Sequence, residues 1–224
     1  MARTARIVLP DVPHHVTQRG ARRMTVFFSS ADYKAYLRVL ARHADRNGVA
    51  VWAYCLMPNH VHLIAVPQET QSLARAIGGA HKHFAARVNQ EHGWKEHLWQ
   101  ERFGSYPMDE LHLHFAVRYI LQNPVRAGLV NRPEEWPFSS AQAHIDRRAD
   151  PLIDPVPLAD RIEDWSGFLR FSERPETLEK MREHSRTGRP LGQVESIRRL
   201  EDQLGERNLT IMDLKSSGSS TGAK

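Results

Sequence analysis

Tyr33, Tyr36, Leu37, Leu40 and Ala44 recur at steps of three and four residues, and Asn47-Gly48 follows them. That spacing predicts an amphipathic helix over 31–48 with a stop at its end. A second stripe, Leu73, Ile77, Ala80, Phe84 and Val88, predicts a helix over 71–93. The Gly78-Gly79 pair inside it costs helix stability and predicts a kink or a close approach. A third stripe, Leu113, Ala116, Val117, Ile120 and Leu121, predicts a helix over 109–123. Asp109 offers it an N-cap and Pro124 a stop. Residues 14–20, 49–56, 60–66 and 98–108 read as strands, and the turn character of Met57-Pro58-Asn59 makes the middle two a hairpin. The order is strand, helix, strand, strand, helix, strand, helix. It predicts an α+β fold with an antiparallel, ferredoxin-like (RRM-like) sheet and helices packed on it.

The pattern changes after residue 148. Asp and Pro concentrate over 146–157, which reads as a linker. We therefore expect a main domain over 1–148 and a small, mainly helical extension over 149–215. Ile197, Leu200 and Leu204 form a short stripe for a helix over 194–204. Residues 216–224, SSGSSTGAK, are expected to be a disordered tail.

Composition narrows the function classes. At 224 residues and 41% hydrophobic, the chain can bury one good core plus an appendage. No apolar run approaches the roughly 20 residues of a membrane span, and the N-terminal stretch lacks a secretory pattern. Cys55 is the single cysteine, which excludes an internal disulfide and a multi-cysteine metal site. A reducing cytoplasm fits. The net charge of +5 is uneven. Residues 1–148 hold 19 Lys+Arg against 12 Asp+Glu (+7), and residues 149–224 hold 12 against 14 (−2). The first part also holds 12 of the 13 histidines. A basic, His-rich domain suits a polyanion, most often nucleic acid.

Two histidines stand out in YCLMPNHVHLIAVP (54–67). On a strand, His60 and His62 project to one face while Val61 and Leu63 project to the other. A pair of imidazoles suits a divalent cation but leaves the ligand set incomplete. Hydrolases with three alternating histidines on one strand do not fit, because the third position is Ile64. Barrel hydrolases that begin with His-x-His need a longer chain. On the third helix Tyr119 and Asn123 are four residues apart and share a face, displaced from the core stripe. A helix tyrosine is commonly a packing residue. A phenol is also a weak nucleophile near neutral pH; it becomes useful against a phosphodiester when a metal withdraws charge from the phosphate oxygens and the attack is held in line.

The stretches YCLMPNHVHLI, LWQERF and RYILQNPVRAGLV together resemble the REP-associated tyrosine transposases, relatives of the single-tyrosine transposases of small insertion sequences. HHVTQRGARR, WPFSSAQAH and HSRTGRPLG extend the resemblance over most of residues 1–192. It implies that Tyr119 is the nucleophile, forming a 5′-phosphotyrosine and a free 3′-hydroxyl in single-stranded DNA. It implies a divalent metal, Mg²⁺ or Mn²⁺, on His60, His62 and an amide one turn beyond the tyrosine. That amide is Asn123 here, with Gln122 in reserve. The implied substrate is a single-stranded DNA hairpin; Arg19, Arg22, Arg23, Trp99, Arg102, Arg118 and Arg126 surround the motifs and are the candidates to bind it by phosphate contact or base stacking, with core packing an equal reading for Trp99. A monomer is expected, acting on DNA in a bacterial cytoplasm. The alternative reading is a DNA-hairpin binding protein without cleavage activity.

Overall fold

The computed structural model describes residues 7–171 and 175–187. Four strands make one sheet: β1 His14–Arg19, β2 Val49–Met57, β3 His60–Pro67 and β4 Gly104–Pro107. Their order is β2-β3-β1-β4, and every pairing is antiparallel. With helix α1 (Ser30–Arg46) and helix α2 (Ser72–His92) as the crossovers, this is the split β-α-β arrangement of a ferredoxin-like sheet.

Local chemistry sets the element ends. Ser29 and Asp32 form a reciprocal capping box at the start of α1. Gly93, at φ 66°, ends α2 in the left-handed conformation. The sheet buries both faces. Val16, Val51, Tyr54, Leu56, Val61 and Leu63 join the stripes of α1 and α2 in one apolar cluster. Ala53, Cys55, Met57, Ile64 and Tyr106 join a second cluster, built with helix α3 (Glu110–Leu121). The change of face between Val51 and Ala53 comes from a bulge at Trp52. All five apolar stripe residues of α2 are buried, as are all five of α3.

α2 runs without a break through Gly78-Gly79. A Cβ on Gly79 would lie 2.6 Å from His43 Nδ1, whereas one on Gly78 would meet nothing within 4 Å. The pair therefore marks a close approach of the two helices, made at its second glycine. Gly78→Ala should stabilise the protein by about 0.5–1 kcal/mol through helix propensity. Gly79→Ala should gain less, because the His43 ring must move. Urea midpoints of the two variants check this; equal gains would refute it.

Two boundaries differ from the sequence expectation. The strand expected over 98–108 is regular only at Gly104–Pro107. Its first part is held to the end of β1 by single backbone bonds, Ala21 N–H to Leu98 O (2.9 Å) and Gln100 N–H to Arg19 O (2.9 Å). Pro124 also does not end the helical run. α3 breaks at Gln122, and a short helix α4 (Asn123–Arg126) restarts with Pro124 in its first turn. No helical partner is needed for a backbone N–H there, so proline is tolerated.

Beyond α4 the WPFSS segment lies along the β2 edge. Leu56 N–H donates to Phe138 O (2.9 Å), and the Trp136 indole donates to Leu56 O (2.9 Å). Such cover blunts an exposed sheet edge. Four further helices follow: α5 (Ala141–Asp146), α6 (Val156–Ala159), α7 (Trp165–Arg170) and α8 (Pro175–Thr187). Past the expected boundary at Ala149 the chain returns to the sheet, and Ile153 bridges Val51 in parallel. Leu158, Ile162, Trp165, Leu169 and Met181 are buried in the same cluster as α3. The helix expected over 194–204 and the tail over 216–224 lie outside the described residues. Among the described residues no helix is long and apolar enough to cross a membrane.

Candidate active site

β3 and β1 build the floor of the site. His60 stands opposite Arg19, His62 opposite Thr17, and Ile64 opposite His15. Alternation therefore puts His15, Thr17 and Arg19 on the same face as His60 and His62. On the other side of β1, His15 stands opposite Tyr106. His15 Nε2 lies 2.9 Å from His62 Nδ1, and His15 Nδ1 lies 2.7 Å from the Tyr106 hydroxyl. The two imidazoles stack with centroids 5.0 Å apart. Neither His15 nor Tyr106 stood out in the sequence. The available signal was that His15 shares its strand phase with Thr17 and Arg19. The strand register that seats it beside His62 was not readable.

The turn before β3 fixes the other histidine. Asn59 Nδ2 donates to Arg23 O at 3.1 Å, which leaves Asn59 Oδ1 to accept from His60 Nδ1 at 2.6 Å. A neutral imidazole has one N–H, so this bond leaves the lone pair of His60 on Nε2. That atom faces Asn123, whose Nδ2 donates to it at 3.3 Å.

α3 and α4 supply the roof. The Tyr119 ring meets His62 edge to face at 5.7 Å and His15 at 6.1 Å. Arg126 lies with its guanidinium 4.3 Å from the Tyr119 ring centroid and donates to Tyr119 O at 2.6 Å. His60, His62, Tyr119 and Asn123 are thus brought together from one chain. The break at Gln122 sets how Asn123 follows the tyrosine.

Burial governs the electrostatics. It pushes His15 down to about 3. It pushes His60 down to about 4, with the Arg19 charge adding to the effect. His62 is held well below the ordinary histidine value, by burial first and then by His60, His15, Arg126 and Arg19. All three rings are neutral at pH 7, the state in which imidazole binds a metal. Among the described residues no three His, Cys, Asp or Glu side chains converge as a metal site.

The remaining candidates divide. Arg19, Arg22, Arg23 and Arg102 are exposed. Arg22 and Arg23 sit at φ 51° and 63°, in a turn where Gly20 has no room for a Cβ, which would lie 2.3 Å from Met24 O. Two successive left-handed arginines are strained and are held by the surrounding structure. The Asn59 bond to Arg23 ties this turn to the His60 end of β3. Arg126 is exposed and lies over Tyr119.

Three candidates are committed elsewhere. Trp99 is not a stacking platform for bases. It is 9% exposed, its ring packs by His81 at 4.6 Å, and its indole N–H donates to His81 O at 3.1 Å. Arg118 does not turn toward the tyrosine; its guanidinium lies 4.4 Å over the Phe168 ring. The Gln122 amide nitrogen donates to Leu169 O (2.6 Å) and Phe171 O (2.9 Å), which takes it away from His60 and His62. Both side chains bind the extension.

Comparison with known proteins gives the chain a family and relatives. The model of the family described as "Transposase IS200 like" matches residues 10–123. A Haemophilus influenzae protein that carries the name "Putative REP-associated tyrosine transposase" is 29% identical over 126 residues, covering 51% of this chain and 65% of that one. The REP-associated tyrosine transposase of Escherichia coli is 24% identical over 116 residues, covering 51% of this chain and 61% of that one. The match therefore spans less than two thirds of the length of either relative. Among solved structures, a REP-associated tyrosine transposase bound to a REP hairpin superposes with a TM-score of 0.57 at 20% identity. That superposition covers 69% of this chain and 92% of that one, and the two share the fold.

Proposed function

This chain belongs to the IS200-like transposase family, and on that premise we propose that it nicks and joins single-stranded DNA, acting on hairpins of the REP type. The observation that carries the reading is the meeting of α3 and α4 with β3: the Tyr119 ring stands against His62 while Asn123, at the start of α4, reaches His60. In the proposed reaction Tyr119 Oη attacks the phosphorus of a phosphodiester. The new P–Oη bond forms as the bond to the 3′ oxygen breaks. The phenol proton passes to solvent, the departing oxygen takes up a proton, and a 3′-hydroxyl is left beside a 5′-phosphotyrosine. The ester keeps the phosphate activated, so a second 3′-hydroxyl can displace the tyrosine without ATP.

A divalent cation, Mg²⁺ or Mn²⁺, would supply the charge that polarises the scissile phosphate. The side chains fit such an ion. His60 and His62 are neutral, and each has its Nδ1 engaged by a neighbour, which leaves Nε2 as the ligating atom. The Asn123 amide, turned over so that its oxygen and not Nδ2 faces His60 Nε2, would complete an N₂O set, leaving open positions for phosphate and water. Arg126, beside the tyrosine, would meet the phosphate, and Arg19, Arg22, Arg23 and Arg102 would contact the DNA backbone. His60, His62, Tyr119 and Asn123 come from one chain, so we expect a monomer to suffice.

The test uses the full chain, a labelled single-stranded hairpin and Mn²⁺. The wild type should form a covalent adduct that survives denaturant, and Tyr119→Phe should form none while still shifting the hairpin in a gel. Intact DNA with a retained shift in the wild type would sink the enzyme reading and leave a hairpin-binding protein.

A further inference from the structure

Three aromatic rings stand at the surface where α2 ends and α1 begins. Phe28 is 42% exposed and Trp94 37% exposed, and His92 is exposed as well. The His92 and Trp94 rings stack at 4.6 Å with 27° between their planes. The Phe28 ring lies 4.5 Å from His92 and 5.6 Å from Trp94. We infer that this cluster is a stacking platform for unpaired bases of single-stranded DNA. The inference rests on the function proposed above for the kind of polymer, and adds where its unpaired part lies.

The rings are mounted on fixed backbone. The left-handed Gly93 turns the chain at the end of α2, and Trp94 N–H then donates to Asn89 O at 2.8 Å. Asn89 Nδ2 donates to Glu96 O at 2.9 Å, which holds the next residues. On the other side Phe28 N–H donates to Asp32 Oδ2 at 2.9 Å, and the preceding Phe27 is buried against Tyr33 at 4.4 Å and Phe84 at 5.3 Å. A surface held in this way loses little freedom when a flat ligand settles on it. Trp99 shows the contrast five residues on: its ring is buried in the core, whereas Trp94 keeps over a third of its surface in water.

Position and charge select the occupant. Val26 and Phe27 N–H both donate to Pro58 O, at 2.8 and 3.2 Å, two residues before His60. Asn59 bonds both His60 and the Arg23 carbonyl. The platform is therefore joined to the His60 end of β3 by the turn that carries Arg22 and Arg23. Arg22, Arg23 and Lys95 are exposed, and among the described residues they make no ion pair. Two acids of this corner, Asp32 and Glu91, are engaged by Arg87 at 3.9 and 2.7 Å. A strand running from His60 across the turn would meet cations for its phosphates and then rings for its bases, the combination that binds single strands with little regard to sequence. A duplex keeps its bases stacked on one another and offers these rings no free face.

Fluorescence anisotropy on the full chain at low salt tests this, with an oligothymidylate of about 15 nucleotides and a blunt duplex of the same length. Trp94→Ala should bind the oligothymidylate about tenfold more weakly than the wild type, the scale of one stacked base. Phe28→Ala should weaken it in the same direction, and Trp94→Phe, which keeps a ring face, should recover most of the loss. Duplex affinity should stay within about twofold throughout, because its phosphate contacts are untouched. Equal oligothymidylate affinity in Trp94→Ala and the wild type would overturn the platform. So would an equal loss on both DNAs, which would trace the effect to folding. A Trp94→Phe variant as weak as Trp94→Ala would assign the loss to the indole N–H and overturn stacking. Unchanged DNA binding with altered sedimentation would give the rings to a second copy of the chain. The hairpin adduct assay separates the two readings. Adduct formation in a protein whose DNA affinity ignores Trp94 would remove the platform and leave the enzyme. No adduct, with oligothymidylate binding lost in Trp94→Ala, would keep the platform and remove the cleavage reading.

Discussion

His60→Ala is expected to reduce strand cleavage by about a thousandfold or more while leaving hairpin binding within a few-fold. A cation on the scissile phosphate is worth several kcal/mol in the transition state, and each 1.36 kcal/mol is a factor of ten in rate. Removing His60 takes away the proposed ligand, whose Nε2 faces Asn123 at 3.3 Å. It leaves the exposed arginines of the Gly20–Arg23 turn in place. Cleavage and gel-shift assays at equal protein concentration separate the two effects. Cleavage near the wild-type rate would remove His60 from the reaction. A joint collapse of binding and cleavage would trace the loss to folding, and thermal unfolding of the variant would show it.

The second large effect is acid sensitivity. Burial pushes His14 and His144 down to about 4 and His15 down to about 3. His14 shows the reason atom by atom. Its Nε2 accepts from Leu9 N–H at 3.2 Å, and its Nδ1 bonds to Val12 O at 2.7 Å, so a second ring proton would face a donor. In the unfolded chain each ring titrates near 6.5. As pH falls from 7 toward 4 the unfolded state takes up these protons and the native state does not, so stability falls with pH across that window. Below the folded-state values the dependence flattens. Each of the three rings withdraws about 2 kcal/mol at pH 5. Together that is about 6 kcal/mol, at the lower end of the 5–15 kcal/mol of a typical domain. His60 and His62 are shifted in the same direction. Urea unfolding should show a midpoint at pH 5 far below that at pH 7.5, and His14→Gln should shallow the slope. Equal midpoints would contradict the burial account.

The fold was legible wherever one segment carried its own signal. The stripes of α1, α2 and α3 show their buried faces by spacing alone, and His60 and His62 share a face by strand alternation. What the sequence hid depends on pieces that meet only in the folded chain. His15 sits beside His62 because of the β1–β3 register, which no local pattern encodes. Arg118 and Gln122 are four apart and read as one helix face, but the residues that face would meet, Phe168 and Leu169, lie across a stretch with no periodicity. Trp99 follows the same logic. Its neighbours on α1 and α2 are distant in sequence, so a buried indole and an exposed stacking ring look alike there. The α3–α4 break was hidden because proline both stops a helix and starts one.

The run RYILQN serves two masters in alternate phases. Tyr119 and Asn123 look toward the histidines, while Arg118 and Gln122 grip the extension through the Phe168 ring and two carbonyls. Neither phase is free to drift alone. Exchanging residues 149–171 for those of a distant relative would take the Phe168 ring from under Arg118 and would keep the Gln122 bonds only where the main chain still presents its carbonyls. The helix would then lose its orientation, and with it the placement of Tyr119, before the sheet lost any bond. The extension and the helix that bears the tyrosine are therefore coupled through these contacts, and a chimera of this protein is best spliced outside both.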